Sequence, residues 1–366
     1  MPKIIKHNSY LRRERERERE RVNGISLFSN VGIDEIFLKR NNINIVGANE
    51  LCKDRADFYR HVYPKCNMVC GDITNKTIFN KLIEIYKNNQ CEFLLATPPC
   101  QGMSIAGKMN FNDERNSLIT YVVNFIKKVK PKNILIENVP NILKFPINVD
   151  GKSIKIIDYI RQNLLPLGYK INASVLDAAD FLTPQHRKRA IILLSKNQWN
   201  FPKPHKLIVV RDAIGHLPSI ESNQISPIKW HYAKKHNLNH VLWMKNTPTG
   251  KSALNNTIFY PINKNGQKIK GFATTYKRIE WKKPAPTITM CNGAISSQNN
   301  VHPGNLKDDG TYSDARALSI LEIMLLCGIP ENWNIPKWAS DNLIRKVIGE
   351  CFPPKFCECL IKEMPR

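Results

Sequence analysis

Short hydrophobic runs, separated by polar segments compatible with helices, dominate the chain between residues 25 and 195. Five of these runs are ISLFSNVG, INIVGANE, FLLATPPC, NILIENVP and AIILLS, and most of them end in glycine, acidic residues or proline. Uninterrupted apolar runs of this length are typical of parallel strands that are buried on both faces. We therefore predict an α/β fold with a doubly wound, mostly parallel sheet, whose ligands bind beyond the carboxyl ends of the strands.

The pattern changes after Ser195. The sequence there becomes polar, rich in histidine and dotted with proline, without a clear helical period. Helical spacing returns at Ala315–Cys327 and at Leu343–Met364. We expect a large domain over residues 23–195, completed by residues 340–366, and a smaller irregular domain over residues 196–339.

The first 22 residues contain the run RRERERERER, which strictly alternates arginine and glutamate from residue 13 onwards. Like charges then stand four residues apart, which disfavours a helix, and nothing apolar is available to bury. We predict a disordered tail over residues 1–22. The same alternation is what a repeat of AG dinucleotides encodes, as AGA and GAG codons, so we hypothesise that the coding DNA slips during replication and switches expression on and off.

Positive charge is concentrated in one region of the chain. The whole sequence has 55 Lys and Arg against 31 Asp and Glu, a net charge of +24. Residues 196–283 alone have 16 basic and 3 acidic side chains, so 16 minus 3, or +13, falls within 88 residues. A local excess of this size indicates a polyanionic partner, with nucleic acid ahead of a membrane surface.

Cysteine content and hydropathy indicate a reducing, aqueous compartment. Ten cysteines in 366 residues are too few for a disulfide scaffold, and the N-terminal segment has no apolar run typical of a signal peptide. No segment approaches the roughly 20 apolar residues that cross a bilayer. We expect a cytoplasmic protein without a membrane contact. The close cysteine pairs 66/70 and 357/359 each lack the second pair of a zinc motif, so no metal is expected.

Three segments bear residues suited to chemistry. Cys100 follows Pro98-Pro99 at the end of an apolar run, where a rigidly held thiol is placed for nucleophilic attack, although a lone cysteine is more often a small buried hydrophobe. Glu137 stands where the next run ends, as a capping group or as an acid/base group. In the segment TPQHRKRA, Arg187 and Arg189 point the same way if the chain is extended there.

Together these segments resemble the DNA cytosine-5 methyltransferase family, in its bacterial restriction-modification form. The resemblance rests on Pro-Cys-Gln at 99–101, Glu-Asn-Val at 137–139 and Gln-x-Arg-x-Arg at 185–189, in that order. It extends to LFSNVG near the start, PTIT and RALS downstream and the segment from Gly349 to Pro354. The similarity thus spans residues 26–354.

The resemblance implies S-adenosylmethionine as the cofactor and a Rossmann-like methyltransferase domain that binds it. The glycine-containing loop, a ribose-binding acid and an adenine-binding acid map onto this chain. The residues implied to bind the cofactor are Phe28, Ser29, Asn30, Gly32, Glu50, Leu51, Asp72, Ile73 and Pro99.

The resemblance also implies a covalent mechanism. Cytosine C5 is too weak a nucleophile until another nucleophile adds at C6, and Cys100 takes that role. Glu137 hydrogen-bonds or protonates N3, where negative charge accumulates. Arg189 holds O2, and Arg187 supports the thiolate, the cofactor or the phosphate side.

Double-stranded DNA is the implied partner, with the target cytosine flipped out of the helix. The segment Gln101–Arg115 is interpreted as a lid that closes over DNA, with Gln101 and Ser104 as contacts. The basic domain is expected to recognise the target through side chains such as Arg211 and Arg278. A functional pairing with a restriction endonuclease is implied, and a monomer is favoured.

The chain departs from the family pattern in several places, among them Leu182-Thr183-Pro184, where a glycine often precedes the proline. Asn30 and Ile33 stand where glycine is common in the cofactor loop, and Glu350 replaces an asparagine of the last motif. Asparagine tolerates a left-handed backbone, so the turn at residue 30 can form. Two alternatives stay open: a methyltransferase that acts on tRNA, and an inactive nucleic-acid-binding protein disabled at Glu350.

Overall fold

The computed structural model describes residues 21–99, 117–149 and 151–366. The chain divides into two compact units. Unit 1 comprises the residues up to Leu176 together with Lys188–Pro202 and Cys357–Arg366, and unit 2 comprises Asp177–Arg187 and Lys203–Phe356. Relative to the expected domains, residues 177–187 and 340–356 belong to unit 2, and residues 196–202 belong to unit 1.

Unit 1 is built on a seven-stranded sheet with strand order β3-β2-β1-β4-β5-β9-β8, and β6 and β7 form a separate antiparallel pair. The strands are β1 (Val22–Leu27), β2 (Ile43–Glu50), β3 (Asn67–Cys70), β4 (Phe93–Ala96), β5 (Asn133–Asn138), β6 (Pro146–Val149), β7 (Lys152–Lys155), β8 (Lys170–Asp177) and β9 (Lys188–Ser195).

The order of the strands reverses between β1 and β4. From β1 the chain proceeds outward to β2 and β3, returns to β4 beside β1, and continues to β5, and all these neighbours pair in parallel. The central strands β4 and β5 are buried at every position. This confirms the predicted doubly wound, mostly parallel α/β sheet, and it places the switch point, where such folds bind ligands, at the carboxyl ends of β1 and β4.

One expected parallel strand runs the other way. The run AIILLS lies in β9, which pairs antiparallel with β5, so this part of the prediction is wrong. Only ten residues connect β8 to its neighbour β9, fewer than a parallel crossover needs. As a result β9 begins beside the end of β5, where Ala190 pairs with Asn138.

Helices cover the sheet, and their apolar faces supply the core of unit 1. In the helix Leu118–Val129, the side chains of Val122, Val123, Phe125 and Ile126 are buried in the same cluster as Leu94 and Ile136 of the sheet. The helices are α1 (Lys53–Val62), α2 (Lys76–Asn88), α3 (Leu118–Val129), α4 (Ile156–Leu164), α5 (Val210–Ile214), α6 (Leu238–Lys245), α7 (Ile320–Leu326), α8 (Asp341–Glu350) and α9 (Pro354–Lys362). Within the described ranges, no helix is both long and apolar enough to span a membrane.

The two stretches with helical spacing near the C-terminus form three helices. The first yields only α7, which begins after Ser319 in a capping box with Glu322. The second is interrupted between α8 and α9, because Pro353 and Pro354 disfavour helical geometry in the residues that precede them.

Unit 2 has little regular structure and is held by buried polar contacts. The guanidinium of Arg316 donates to both carboxylate oxygens of Glu322, at 2.7 and 2.8 Å, and to Asp314 at 2.9 Å. All three side chains are buried. Although burial alone would raise it, the positive charge of Arg316 and its hydrogen bonds hold the pKa of Glu322 below its ordinary value. In this network the buried positive charge lies against buried negative charges, and these contacts offset the cost of removing the charged groups from water.

Candidate active site

The loop after β1, residues 28–32, has the backbone geometry of a ligand-binding turn. Phe28, Asn30 and Gly32 all have positive φ, at 60°, 50° and 71°. The Ser29 N–H donates to the Asn49 carbonyl of the neighbouring strand at 2.9 Å, and the Gly32 N–H donates back to the Ser29 carbonyl at 2.8 Å. Asn30 thus adopts the left-handed conformation that the family's glycine would take.

Glu50 closes β2 directly beside this loop. Its carboxylate accepts one hydrogen bond from the Asn30 N–H at 3.0 Å and one from the Cys52 N–H at 2.8 Å. Each oxygen keeps a second lone pair, so the buried carboxylate can still accept hydrogen bonds from a ligand. The adjacent Leu51 side chain is 63% exposed, which leaves an apolar surface next to a hydrogen-bond acceptor.

Asp72 follows β3, the next strand of the sheet. It is exposed, and its Oδ1 accepts the Thr74 N–H at 2.9 Å, while the neighbouring Ile73 is buried. The Asn49 amide donates to the carbonyls of Val69 and Gly71, at 3.0 and 2.9 Å, and so fixes the end of β3 against β2. The structure therefore brings the predicted loop and both predicted acids to one edge of the sheet.

The segment that leads to Cys100 is fixed on both sides. The Thr97 hydroxyl donates to the Phe28 carbonyl at 3.0 Å, which ties the end of β4 to the loop after β1. On the other side, the Asn138 amide donates to the Pro98 carbonyl at 2.8 Å. Cys100, Gln101 and Ser104 lie outside the described residues.

Glu137 and Arg189 form an ion pair at the ends of β5 and β9. The Arg189 Nε lies 2.7 Å from the Glu137 Oε1, and their side chains are only 15% and 10% exposed. The antiparallel register creates this contact, because Ile191 pairs with Glu137, and Arg189 lies two residues before Ile191 at the same end of the strand pair. Such a pair combines an oriented carboxyl group with a fixed positive charge in a partly dehydrated place.

Arg187 has different partners from Arg189. It lies in unit 2, is buried, and donates to the carbonyls of Ile288 and Gly349, both at 3.0 Å. Arg189 lies in unit 1. The two arginines of the predicted pair thus have separate partners, since the chain passes from unit 2 into β9 between them.

Hydrogen bonds connect the segment around Arg187 to residues that come later in the chain, among them Ile288 and Cys327. The Gln185 amide accepts the Ile288 N–H at 2.9 Å and donates to the Cys327 Sγ at 3.1 Å. A hydrogen bond from Cys351 lowers the pKa of Cys327, against burial and with help from the Arg187 charge. A side chain at Gly349 would meet the Thr289 carbonyl oxygen at 2.2 Å, so only glycine fits there.

Comparison with known proteins assigns the family. Residues 22–366 match the family model of C-5 cytosine-specific DNA methylases. The chain is 52% identical over 350 residues to the type II methyltransferase M1.HgaI of Avibacterium volantium, covering 94% of this chain and 98% of that protein.

The chain belongs to the C-5 cytosine-specific DNA methylase family. Its activity is accordingly that of a DNA (cytosine-5-)-methyltransferase, as the sequence predicted. The methylase is also 28% identical to the type II methyltransferase M1.HphI of Haemophilus parahaemolyticus, over 92% of this chain and 84% of that protein.

Solved structures with low sequence identity share the fold of the methylase. The Entamoeba histolytica methyltransferase EhMeth matches with a TM-score of 0.62 at 16% identity, over 94% of this chain and 97% of that one. The S. pombe Dnmt2 methyltransferase matches with a TM-score of 0.60 at 16% identity, over 93% and 97%.

The two arginines of the methylase that were predicted to contact DNA lie in different environments. Arg211 is exposed, and its guanidinium carbon lies 4.5 Å from the ring centroid of Trp281. Arg278 is fully buried and donates to the carbonyls of Met244 at 2.9 Å and His302 at 2.7 Å. We therefore replace the prediction of a DNA contact by Arg278 with a structural role inside unit 2.

Sequence reasoning missed a buried pair next to the loop after β1. The Tyr59 hydroxyl donates to the Glu35 Oε2 at 2.6 Å, and both side chains are buried. Their separation of 24 residues gives no periodic signal. The acidic pair Asp34-Glu35 within an apolar stretch was the only trace in the sequence.

Proposed function

We propose that the methylase modifies one cytosine within a short duplex sequence, as the modification enzyme of a type II restriction–modification system, with Cys100 as its nucleophile. The observation that carries this proposal is the Glu137–Arg189 ion pair, because Glu137 lies at the end of β5, which is next to the strand β4 that leads to Cys100. The Asn138–Pro98 hydrogen bond fixes that segment to the end of the strand that bears Glu137. The type II names of its bacterial relatives support the pairing with a restriction endonuclease and a place in the bacterial cytoplasm, where the DNA lies.

The strand ends fit S-adenosylmethionine. The Glu50 carboxylate would accept the ribose hydroxyls, and Asp72 the exocyclic amine of adenine. Phe28, Leu51 and Ile73 would border the adenine ring, and Leu51 already presents an exposed apolar surface. Backbone groups of the loop 29–32 and of Pro99 would border the methionine part. When bound, this cofactor supplies an electrophilic methyl group.

The protein's own residues then prepare the cytosine. The Cys100 thiolate forms a bond to C6, and the electron pair of the C5–C6 double bond moves into the ring, towards N3. Once the Glu137 carboxyl group carries a proton, it protonates or hydrogen-bonds N3 and so stabilises the charge. Arg189 orients Glu137 and hydrogen-bonds O2 of the base. After C5 has been methylated, loss of the C5 proton to a base restores the double bond and expels the Cys100 thiolate.

Arg187 supports this site by holding unit 2 together. Its two donated hydrogen bonds join the segment before β9 to Ile288 and to Gly349 at the end of α8. We assign Arg187 to positioning rather than to contact with the cytosine.

Residues 251–277 of unit 2 have the composition expected of a DNA-reading segment. They contain five lysines and no acidic residue. Ile258 and Phe272 are 75% and 76% exposed, although they are large and apolar. Ile262 and Lys268 pair across a turn that the Asn263 side chain caps by accepting the backbone N–H groups of Asn265 and Gln267, at 2.9 and 3.0 Å.

We assign base contacts to Ile258 and Phe272, because exposed apolar groups suit the thymine methyl group or a wedge between base pairs. Lysines of the same segment and the exposed Arg211 would neutralise phosphates. The predicted contacts Gln101 and Ser104, in the segment after Cys100, complete the proposed DNA-binding set.

Transfer of labelled methyl groups from S-adenosylmethionine to unmethylated duplex DNA tests this function, followed by bisulfite sequencing. We expect protected cytosines in one short sequence context, and no incorporation by the Cys100→Ala variant. Incorporation into tRNA but not into duplex DNA would overturn the proposed substrate. Cofactor binding without transfer to either nucleic acid would indicate an inactive enzyme.

A further inference from the structure

We propose that Glu35, Tyr59 and Tyr63 form a clamp that holds the cofactor loop in its binding conformation, so that they are positioning residues for cofactor affinity. This inference rests on the proposed cofactor site. The three residues lie outside that site, and no motif of the sequence pointed to them.

Two hydroxyl groups connect α1 to the loop. The Tyr63 hydroxyl donates to the Gly32 carbonyl at 2.6 Å, and the Tyr59 hydroxyl donates to the Glu35 carboxylate at 2.6 Å. Tyr59 lies in the last turn of α1 and Tyr63 directly follows the helix, and their ring centroids are 4.9 Å apart. Both hydrogen bonds therefore act on the short segment 32–35, where the loop ends.

Steric contact adds to the hydrogen bonds. A Cβ atom at Gly32 would lie 2.5 Å from the Tyr63 ring and 2.8 Å from the Tyr59 ring, so both rings pack directly against the glycine. Gly32 has a φ of 71°, and its N–H closes the turn on Ser29. The Gly32 carbonyl accepts a second hydrogen bond, from the Glu35 N–H at 3.2 Å. The loop and the clamp are therefore connected through this carbonyl group.

The clamp is sensitive to the charge on Glu35. Burial raises the pKa of Glu35 to about 7, although the hydrogen bond from Tyr59 lowers it. Ser26 of β1 also interacts with the Glu35 carboxyl group and lowers its pKa. The groups that face Glu35 are Asp34, Tyr59, Tyr63, Cys66 and Cys357, and none of them is a cation.

The direction of the pH dependence follows from these surroundings. A loop that opens to water returns the pKa of Glu35 to its ordinary value of 4.5, whereas the closed loop holds it at about 7. The closed form therefore binds a proton more tightly and is favoured as the pH falls from 7 to 4.5. Asp34 acts in the same direction, because burial and the charge of Glu35 raise its pKa as well.

The test measures the dissociation constant of S-adenosylmethionine by titration calorimetry on the full-length protein between pH 5 and 8. We expect a dissociation constant that rises between pH 5 and 7 and levels off above 7, and a shallower rise in Glu35→Gln, whose side chain stays neutral. Tyr63→Phe should weaken binding about fivefold at all pH values, since one hydrogen bond is lost. Glu35→Ala should weaken binding further than Glu35→Gln, because the Tyr59 hydroxyl loses its acceptor.

Two control variants keep the outcomes distinct. Tyr169→Phe removes a buried hydroxyl that donates to the Pro131 carbonyl at 2.5 Å, so it matches Tyr63→Phe in chemistry without touching the loop, and its affinity should equal that of the wild type. Glu50→Ala should abolish binding if the proposed cofactor site is correct. Normal binding by Glu50→Ala would overturn the site itself. A different outcome would overturn the clamp alone: Glu50→Ala no longer binds S-adenosylmethionine, while the Glu35 and Tyr63 variants keep the affinity and the pH dependence of the wild type.

Discussion

Replacing Arg187 or Arg189 by alanine should have opposite consequences, although the two residues are only two positions apart. The Arg187 guanidinium is buried and serves two carbonyl groups, of Ile288 and Gly349. Arg189 is partly exposed and contacts the Glu137 carboxylate. We therefore expect Arg187→Ala to destabilise unit 2, and Arg189→Ala to impair the chemistry of a folded protein.

The magnitudes follow from the partners. Arg187→Ala leaves two buried carbonyl oxygens without donors, at about 1–3 kcal/mol each, so we expect a loss of about 3–5 kcal/mol in the free energy of unfolding. Arg189→Ala removes one ion-pair partner of Glu137, whose side chain is only 10% exposed, and should cost about 1–3 kcal/mol. Removing a group that stabilises charge on the cytosine should lower kcat by about 10²–10³-fold.

Urea unfolding followed by tryptophan fluorescence, combined with methyl transfer assays in the absence of urea, separates these effects. Arg161→Ala is the control, because its side chain is half exposed and lies 3.6 Å from Asp158 in a surface ion pair. That variant should stay within about 0.5 kcal/mol of the wild type. If Arg187→Ala is as stable as Arg161→Ala, the structural role of Arg187 is refuted.

Three further predictions concern other parts of the molecule. Asn138→Ala removes the hydrogen bond to Pro98, so kcat should fall about tenfold or more while the dissociation constant of S-adenosylmethionine, measured by calorimetry, stays unchanged. Phe272→Ala should weaken binding to the target duplex about tenfold in a fluorescence anisotropy titration. The control Leu306→Ala, which removes a side chain that is 65% exposed, should leave binding unchanged. Equal effects of the two variants would contradict the base-contact proposal. Arg278→Ala should lower the free energy of unfolding by about 3 kcal/mol or more without changing which sequence is methylated, and a changed bisulfite pattern would restore it as a DNA contact.

The sheet and the polar groups at its edge were predictable because each rests on local sequence. Glu50, Asp72 and Glu137 each stand at or next to the end of a hydrophobic run, and parallel strands bring such ends together. The left-handed turn at Asn30 also follows from residue type. Local patterns of this kind need no knowledge of distant partners.

Contacts between distant segments could not be predicted in this way. Arg278 has the sequence context of any basic residue in a charged region, yet its side chain is buried and donates hydrogen bonds to the carbonyl groups of Met244 and His302. The opposite direction of β9 depends on the short connection from β8, and it determines that Arg189 meets Glu137. The Glu35–Tyr59 pair depends on how α1 packs against the loop.

The most direct test of the central claim is to trap the covalent bond between Cys100 and cytosine. Duplex DNA that has 5-fluorocytosine at the methylated position is incubated with the enzyme and S-adenosylmethionine, because fluorine at C5 blocks the loss of a proton that releases the thiolate. Mass spectrometry of the digested product should then find the methylated nucleotide on the peptide that contains Cys100, and Cys100→Ala should give no adduct. An adduct on another cysteine, or transfer of methyl groups to ordinary duplex DNA by Cys100→Ala, would contradict the account.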